Sequence, residues 1–162
     1  MDTTLETLSR RVARIEAADE IRRLKLRYAA ACDDNYPPDV IAPMFTEDAI
    51  WDGGERWGRH NGREAIRAFF AGASDTITFA LHLMIGGDIE VDDNATSAKG
   101  FWQLYEPVAV VDGDQKFSAV MAGIYHDDYV LTDEGWKFSV VRLDWAMQAR
   151  LDRGWHNGRF HL

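Results

Sequence analysis

The stretch that decides the fold runs from residue 91 to 145: VDDNATSAKGFWQLYEPVAVVDGDQKFSAVMAGIYHDDYVLTDEGWKFSVVRLDW. It consists of long segments rich in β-branched and aromatic residues, separated by three short polar runs that are typical of tight turns. These runs are Asp92-Asp93-Asn94, Asp112-Gly113-Asp114 and Thr132-Asp133-Glu134-Gly135. Together with the apolar segment before the first run, residues 76–91, the pattern predicts a meander of four antiparallel strands.

The part of the chain before residue 75 has helical spacing instead. Two sets of apolar residues keep a helical period but are out of phase with each other: Leu5, Leu8, Val12 and Ile15, then Ile21, Leu24 and Tyr28. The break in phase, with Asp19 as a suitable N-cap, predicts two helices or one sharply bent helix that ends near Asp33. A short helix is expected at residues 39–45, because two prolines stop the first one.

Two further elements are predicted before the meander. Trp51 and Trp57, joined through Gly53-Gly54, predict a short hairpin. Residues 62–71 predict a helix that ends at Gly72. The chain is therefore expected to be an α+β protein in which the N-terminal helices cover the concave face of a curved, cone-shaped antiparallel sheet.

Length and composition favour one domain over residues 1–162. The chain is 46% hydrophobic, which is enough to bury a core and still leave a cavity. Strand segments 76–91 and 116–131 carry apolar residues on both faces, so the outer face of the sheet should also be covered. A homo-oligomer is the simplest such cover.

Charge and motif content exclude several classes of function. The formal net charge of -9, without a basic stripe, argues against nucleic acid or an anionic membrane as a partner. No leader and no membrane-spanning segment is recognised, so a cytoplasmic location is expected. Cys32 is the only cysteine, and no metal or phosphate-binding motif is found, so neither a metal nor a cofactor is predicted.

Three residues form a potential acid–base set. Tyr28 and Asp33 close the N-terminal helical segment, and His82 lies within an apolar strand segment. If they meet, they can transfer a proton without a cofactor. The alternative for His82 is a core histidine that is hydrogen-bonded to the backbone or to a carboxylate, which is the more frequent role of a lone strand histidine.

Other candidates are weaker. Arg142 shares an apparent strand face with apolar residues and needs an anionic or carbonyl partner, which is either a ligand or a carboxylate such as Asp144 or Asp33. Four aromatic residues fall on strands that could line the cone and contact an apolar ligand: Trp51, Tyr105, Tyr125 and Trp145. The run His126-Asp127-Asp128 is interpreted as a solvated strand end, because neighbours on a strand point to opposite faces.

A series of short motifs spans nearly the whole chain. In order, they are residues 21–33, 44–49 (MFTEDA), Trp51-Asp52-Gly53, 62–66 (GREAI), His82, 89–92 (IEVD), 123–127 (GIYHD) and 135–138 (GWKF). Their order and spacing resemble the SnoaL-like branch of the nuclear transport factor 2-like superfamily. The positions of Tyr28, Asp33 and His82 resemble those of scytalone dehydratase, bile-acid 7-alpha-dehydratase and lindane dehydrochlorinase.

The resemblance implies a cofactor-free elimination. Asp33 and His82 would be the catalytic dyad, Tyr28 a phenol that faces a small apolar cyclic substrate, such as a polyketide or steroid, and Arg142 a cation in the pocket. It also implies a dimer or trimer. Under this hypothesis Asp33 orients His82, neutral His82 abstracts a carbon-bound proton, and Tyr28 stabilises the enolate or protonates a departing hydroxyl.

Two rival hypotheses stay open at this stage. One is a non-catalytic module that binds a ligand or a partner subunit, in which Tyr28, Asp33 and His82 support the fold as a buried polar network. The other is an isomerase that uses Asp33 alone as the base, in which His82 is dispensable.

Overall fold

The computed structural model describes residues 4–156 and 158–161, with α1 at Thr4–Asp33, α2 at Pro38–Ile41, a 3-10 turn at Ala42–Met44, α3 at Gly54–Trp57 and α4 at Arg63–Thr76. The strands are β1 (Phe45–Asp52), β2 (Arg59–Asn61), β3 (Ile77–Ala80), β4 (Leu83–Val91), β5 (Ser97–Asp112), β6 (Gln115–Thr132), β7 (Gly135–Arg150) and β8 (Phe160–His161). Residues 1–3, 157 and 162 of the predicted single domain lie outside the described residues. No helix in the described part of the chain combines the length and the apolar character that crossing a membrane requires.

The strands form one curved sheet in the order β2-β1-β7-β6-β5-β3, with β4 on β5 and β8 on β7. The meander is confirmed, since β4, β5, β6 and β7 pair in sequence and antiparallel. Its first strand differs from the prediction because it is divided into β3 and β4, which both pair with β5. The predicted α+β class with a curved sheet is also confirmed. The sheet is not antiparallel throughout, because β1 and β8 each pair with β7 in the parallel direction.

Helix α1 is continuous from Thr4 to Asp33, so the first predicted alternative, two separate helices, is wrong. The break in the apolar phase marks a change of environment along one helix. Leu5 and Ile15 in the first half are 76% and 68% exposed, whereas Ile21, Leu24 and Tyr28 in the second half are buried. The second half packs its buried stripe against the concave face of the sheet, where the Tyr28 ring contacts the rings of Tyr125 and Phe138.

The other predicted elements occur with shifted bounds. The hairpin is present as β1 and β2, but Trp57 lies in the short helix α3 between them. Helix α4 continues past Gly72 to Thr76, so that glycine is not its end.

Several bulges interrupt the strand pairing, and two of them change the direction of side chains in β4 and β7. The first is at Gly86-Gly87, and it puts three steps of β4 opposite two of β5. Gly87 has a positive φ of 142°, and a Cβ there would lie 2.5 Å from the ring of Trp102, so no other residue fits without displacement. The second lies at Ser139, where Tyr129 pairs with Phe138 and Asp128 with Val140.

Candidate active site

A cavity of about 510 Å³ lies between the helices and the concave face of the sheet. Its walls come from α1, α3, α4, β1, β3, β5, β6, β7 and the connections that hold Tyr36 and His82, and they are mostly aromatic and aliphatic. Among its lining residues are Tyr28, Tyr36, Trp51, Phe69, His82, Glu106, Tyr125 and Trp145. A concave apolar cavity with a few polar groups is the usual form of a small-molecule site.

Asp33 and His82 meet at one end of this cavity. Asp33 is the last residue of α1, and His82 lies in the two-residue break between β3 and β4. One carboxylate oxygen, Asp33 Oδ1, accepts the backbone N–H of His82 at 2.7 Å and lies 2.8 Å from Nδ1 of its ring. These two contacts hold the ring in place and favour the tautomer with the proton on Nδ1, which leaves Nε2 as the basic atom.

His82 is therefore neither on the outer surface nor a residue inside a continuous strand. Its side chain is only 6% exposed, and it lines the cavity. Asp33 is behind it, with a side chain that is 25% exposed and does not line the cavity. The predicted pair is in contact, while the catalytic role assigned to it stays a prediction.

Tyr28 also lines this cavity, about one and a half turns before Asp33 on α1. It is 1% exposed, and its hydroxyl accepts a hydrogen bond from the indole N–H of Trp51 at 3.0 Å. Burial raises the pKa of Tyr28 well above its ordinary value, and the hydrogen bond from Trp51 opposes this only in part. The phenol is thus protonated at physiological pH and can donate.

Three of the four predicted aromatic residues line the cavity: Trp51, Tyr125 and Trp145. The indole N–H of Trp145 donates to the carbonyl of Gly53 at 2.7 Å, which ties β7 to the turn after β1. Tyr105 does not line the cavity. Along β5 the even-numbered residues point inward, so Tyr105 lies on the outer face, where it is 40% exposed opposite Leu83 of β4.

Arg142 is also outside the cavity, contrary to the prediction. The extra residue at the Ser139 bulge reverses the alternation of β7, so Val141 and Leu143 point inward and Arg142 points outward. Its side chain is 52% exposed, and its Nε lies 3.5 Å from Asp144 Oδ1. The structural alternative, an ion pair with Asp144, is the one that the structure contains.

Glu106 is a cavity residue that the sequence-based prediction does not include. It lies on the inner face of β5, is 2% exposed, and places Oε1 at 3.2 Å from Nε2 of His82. Burial raises the pKa of Glu106, the neighbouring Asp33 adds to the rise, and His82 opposes it. The available signal was strand alternation, because Glu106 occupies the same phase as Trp102, Leu104 and Val108.

Tyr36 is a second missed residue. Asn35 and Tyr36 both have positive φ values, 61° and 55°, which turn the chain back after α1 and place the Tyr36 ring edge-on to His82 at 6.0 Å between centroids. In the described part of the chain the Tyr36 hydroxyl has no hydrogen-bond partner, although it is buried. Burial raises the pKa of Tyr36, so it too is a neutral phenol on the cavity wall.

A buried ion pair lies deeper in the core. Lys25 Nζ is 2.8 Å from Asp127 Oδ2 and 3.3 Å from the centre of the Tyr125 ring. The same Asp127 oxygen accepts the hydroxyl of Tyr129 at 2.8 Å. Asp127 is therefore not part of a solvated strand end as predicted, since the strand alternation turns it inward between Tyr125 and Tyr129.

The chain thus has a small α+β fold in which His82, in contact with Asp33, lines an apolar cavity inside a curved sheet. The SnoaL-like domain family matches residues 13–142, and the chain belongs to this family. The predicted place in the nuclear transport factor 2-like superfamily is confirmed. No curated protein sequence is a significant match.

Solved structures with the same fold include three from Novosphingobium. A candidate aromatic ring hydroxylase from N. aromaticivorans is 25% identical, with a TM-score of 0.71 over 84% of this chain and 94% of its own. A candidate scytalone dehydratase from that species is 20% identical, with a TM-score of 0.73 over 96% and 93%. Hexachlorocyclohexane dehydrochlorinase LinA-type3 from N. barchaimii LL02 is 20% identical, with a TM-score of 0.75 over 93% and 98%.

Proposed function

We propose that the protein is a cofactor-independent lyase or isomerase that acts on a small apolar cyclic substrate by acid–base catalysis. One observation carries the proposal: the imidazole of His82 lines an apolar cavity while its Nδ1 lies 2.8 Å from Asp33. A carboxylate in that position stabilises the imidazolium that forms when Nε2 takes a proton. The dehydratase and dehydrochlorinase named among the structures of the same fold agree with an elimination.

The first step is removal of a proton from a carbon next to a carbonyl group. His82 Nε2 is the base, Asp33 fixes the ring, and the electron pair moves to the carbonyl oxygen. Tyr28 is the donor to that oxygen, because its phenol stays protonated and it lines the same cavity as His82. Arg142 has no part in this step, since its side chain is on the outer face of the sheet.

The walls of the cavity indicate the substrate class. Trp51, Phe69 and Trp145 supply flat apolar surface, and rings of this kind favour a flat or cyclic ligand. Dehydration of a cyclic β-hydroxyketone fits the cavity and the order of proton transfers, with isomerisation sharing the same first step.

The proposal includes a homo-oligomer. On the outer face of the sheet, Leu81, Leu83, Ile85 and Tyr105 form a row of exposed apolar side chains on β4, β5 and the break before β4. Monomeric proteins rarely expose a continuous apolar patch of that kind. Light scattering of the purified protein should give a multiple of the chain mass of 18.4 kDa.

The test uses 3-hydroxy-1-tetralone, a bicyclic β-hydroxyketone that loses water to give fluorescent 1-naphthol. We expect the protein to accelerate this reaction and the variants His82→Ala and Asp33→Asn each to lower turnover by about 10²- to 10⁴-fold. Melting temperatures distinguish the enzyme from a non-catalytic binding module. In a binding module the wild type has no turnover, and the same variants lower only the melting temperature. Equal turnover in the wild type and both variants would contradict the dyad.

A further inference from the structure

His82 has a second acidic neighbour in addition to Asp33. Glu106 approaches the opposite nitrogen of the ring, with Oε1 at 3.2 Å from Nε2, so the imidazole lies between two carboxyl groups. Glu106 also lines the cavity, whereas Asp33 does not. Of the two acids, Glu106 is therefore the one that can contact a bound substrate.

We propose that Glu106 is the second proton carrier of the site: it takes from His82 the proton that His82 removes from the substrate, and delivers it to the departing group. This inference rests on the proposed function and deepens it, because it assigns the acid of the second half of the reaction. It also assigns a role to a residue whose burial otherwise only costs free energy.

Before the reaction, His82 is neutral and Glu106 is an ionised carboxylate. His82 Nε2 takes the proton from the carbon next to the carbonyl, and the electron pair of the C–H bond moves to the carbonyl oxygen. The Nε2–H bond then breaks as Glu106 Oε1 takes that proton. Glu106 gives it to the departing hydroxyl while the C–O bond breaks and the enolate electrons form the new double bond. Water leaves, and Glu106 and His82 regain their initial states.

The surroundings suit an acid that gains and loses a proton. Facing Glu106 are Asp33 and Cys32 of α1, Tyr36 after it, Tyr125 of β6, and His82. Burial raises the pKa of Cys32, Tyr36 and Tyr125, so these three groups stay neutral. His82 is the group near Glu106 whose charge can change during the reaction.

A structural carboxylate in this fold is built differently. Asp127 is equally buried, but it is paired with a lysine, Lys25 Nζ at 2.8 Å, and has the hydroxyl of Tyr129 as a donor. The ion-pair partner of Glu106 among the described residues is a histidine, which is charged only when protonated. This difference supports a role in proton transfer over a role in the core.

The first arm of the test needs no substrate. Protein labelled with ¹³C at the glutamate carboxyl carbons is titrated by NMR, and the Glu106 signal is assigned by its loss in Glu106→Gln. We expect Glu106 to release its proton at a higher pH than the exposed glutamates, and at a still higher pH in His82→Gln, because His82 lowers its pKa. A Glu106 signal that titrates with the exposed glutamates, or that is unaffected by His82→Gln, would overturn the relay.

The second arm measures turnover of 3-hydroxy-1-tetralone. Glu106→Gln should lower kcat by at least about tenfold, since one positioned acid contributes about 10²- to 10⁴-fold. Glu106→Asp, which keeps the carboxyl group at shorter reach, should recover part of the lost kcat.

If the wild type turns over the ketone and Glu106→Gln does so equally well, the relay fails and the proposed function stands. If Glu106→Gln is inactive while His82→Gln is fully active, Glu106 alone is the base and the relay also fails. If the wild type is inactive on the ketone, the proposed function fails there, and the NMR arm still decides whether the two groups share a proton.

Discussion

Two acidic side chains are buried on neighbouring strands of this sheet, and they have opposite kinds of partner. Asp127 of β6 is paired with Lys25 and accepts a hydrogen bond from Tyr129. Glu106 of β5 lies on the cavity wall against His82. Burial raises the pKa of both acids, and Lys25 opposes the rise at Asp127 while His82 opposes it at Glu106.

The neighbours of a buried acid distinguish one that stabilises the core from one that can exchange a proton with a substrate. The pair with Lys25 makes Asp127 part of the fold, because loss of either partner leaves the other buried without compensation. Glu106 is paired with a histidine instead, so the support for its negative charge depends on whether His82 is protonated. Substitutions at the two places should therefore have opposite effects on stability, and only those at the cavity should change turnover directly.

The largest effect on stability is expected from Lys25→Met. This change leaves Asp127 buried without its cation, and breaking a buried pair costs about 3–5 kcal/mol, a fall in Tm of about 10 °C for a chain of this size. The matched control is Lys99→Met, which breaks the exposed pair with Asp128 at 3.0 Å and should cost less than about 1 kcal/mol. Thermal unfolding followed by circular dichroism measures both, and similar losses would show that burial does not distinguish the pairs.

Removal of both partners should restore most of that stability. In Lys25→Met with Asp127→Leu no buried charge is left, and apolar replacements of buried pairs are often neutral or stabilising. The Tyr129 hydroxyl loses its acceptor but keeps the indole N–H of Trp102 as a donor at 3.1 Å. We expect the double variant within about 2 kcal/mol of the wild type. A double variant as unstable as Lys25→Met alone would mean that packing, not charge, accounts for the single loss.

A smaller effect of opposite sign is expected at Glu106. Because its pKa is raised in the folded protein, its contribution to stability is fully present below its unfolded pKa and is lost as the pH rises through the folded pKa. Glu106→Gln removes this loss, so its Tm should exceed that of the wild type at neutral pH by about 2–4 °C, or about 1 kcal/mol.

Melting curves between acidic and neutral pH provide the control for Glu106→Gln. The difference in Tm between variant and wild type should grow as the pH rises and should be small under acidic conditions, where Glu106 is protonated in both states. A difference that does not vary with pH would assign the effect to the shape of the side chain.

Much of the fold could be predicted from the sequence, because its signals are local. The three polar runs between long apolar segments coincide with the turns of the meander, and Gly86-Gly87 coincides with a bulge. The change of apolar phase in α1 does not mark a break between two helices. It marks where one helix passes from an exposed half to a buried half, and that depends on tertiary packing.

The site could be predicted in part, for the same reason. Asp33 and His82 were found from their residue types and from a family resemblance, although 48 residues separate them in the chain. Arg142 was misplaced because the bulge at Ser139 has no glycine or proline to reveal it, and one extra residue reverses the faces of a strand. Glu106 was missed although its strand phase was readable, since a carboxylate among apolar residues indicates an inward acid only once that face is known to be the inner one.

The smallest effect on turnover is expected from a change at Trp51, the hydrogen-bond partner of Tyr28. Tyr28 lies between the Lys25–Asp127 pair and the cavity that contains Glu106. The Tyr28 ring lies 5.2 Å from Lys25 Nζ, Tyr28 also lines the cavity, and its hydroxyl accepts a hydrogen bond from the indole N–H of Trp51. Trp51→Phe removes that donor, costs about 0.5–1.5 kcal/mol, and makes the phenol less acidic, because this hydrogen bond lowers the pKa of Tyr28. Turnover of 3-hydroxy-1-tetralone should fall by less than tenfold.

Trp145→Phe is the control, since Trp145 lines the same cavity and this variant loses a comparable hydrogen bond, to the carbonyl of Gly53. If both variants lose the same turnover, the effect belongs to the shape of the cavity and not to the acidity of Tyr28.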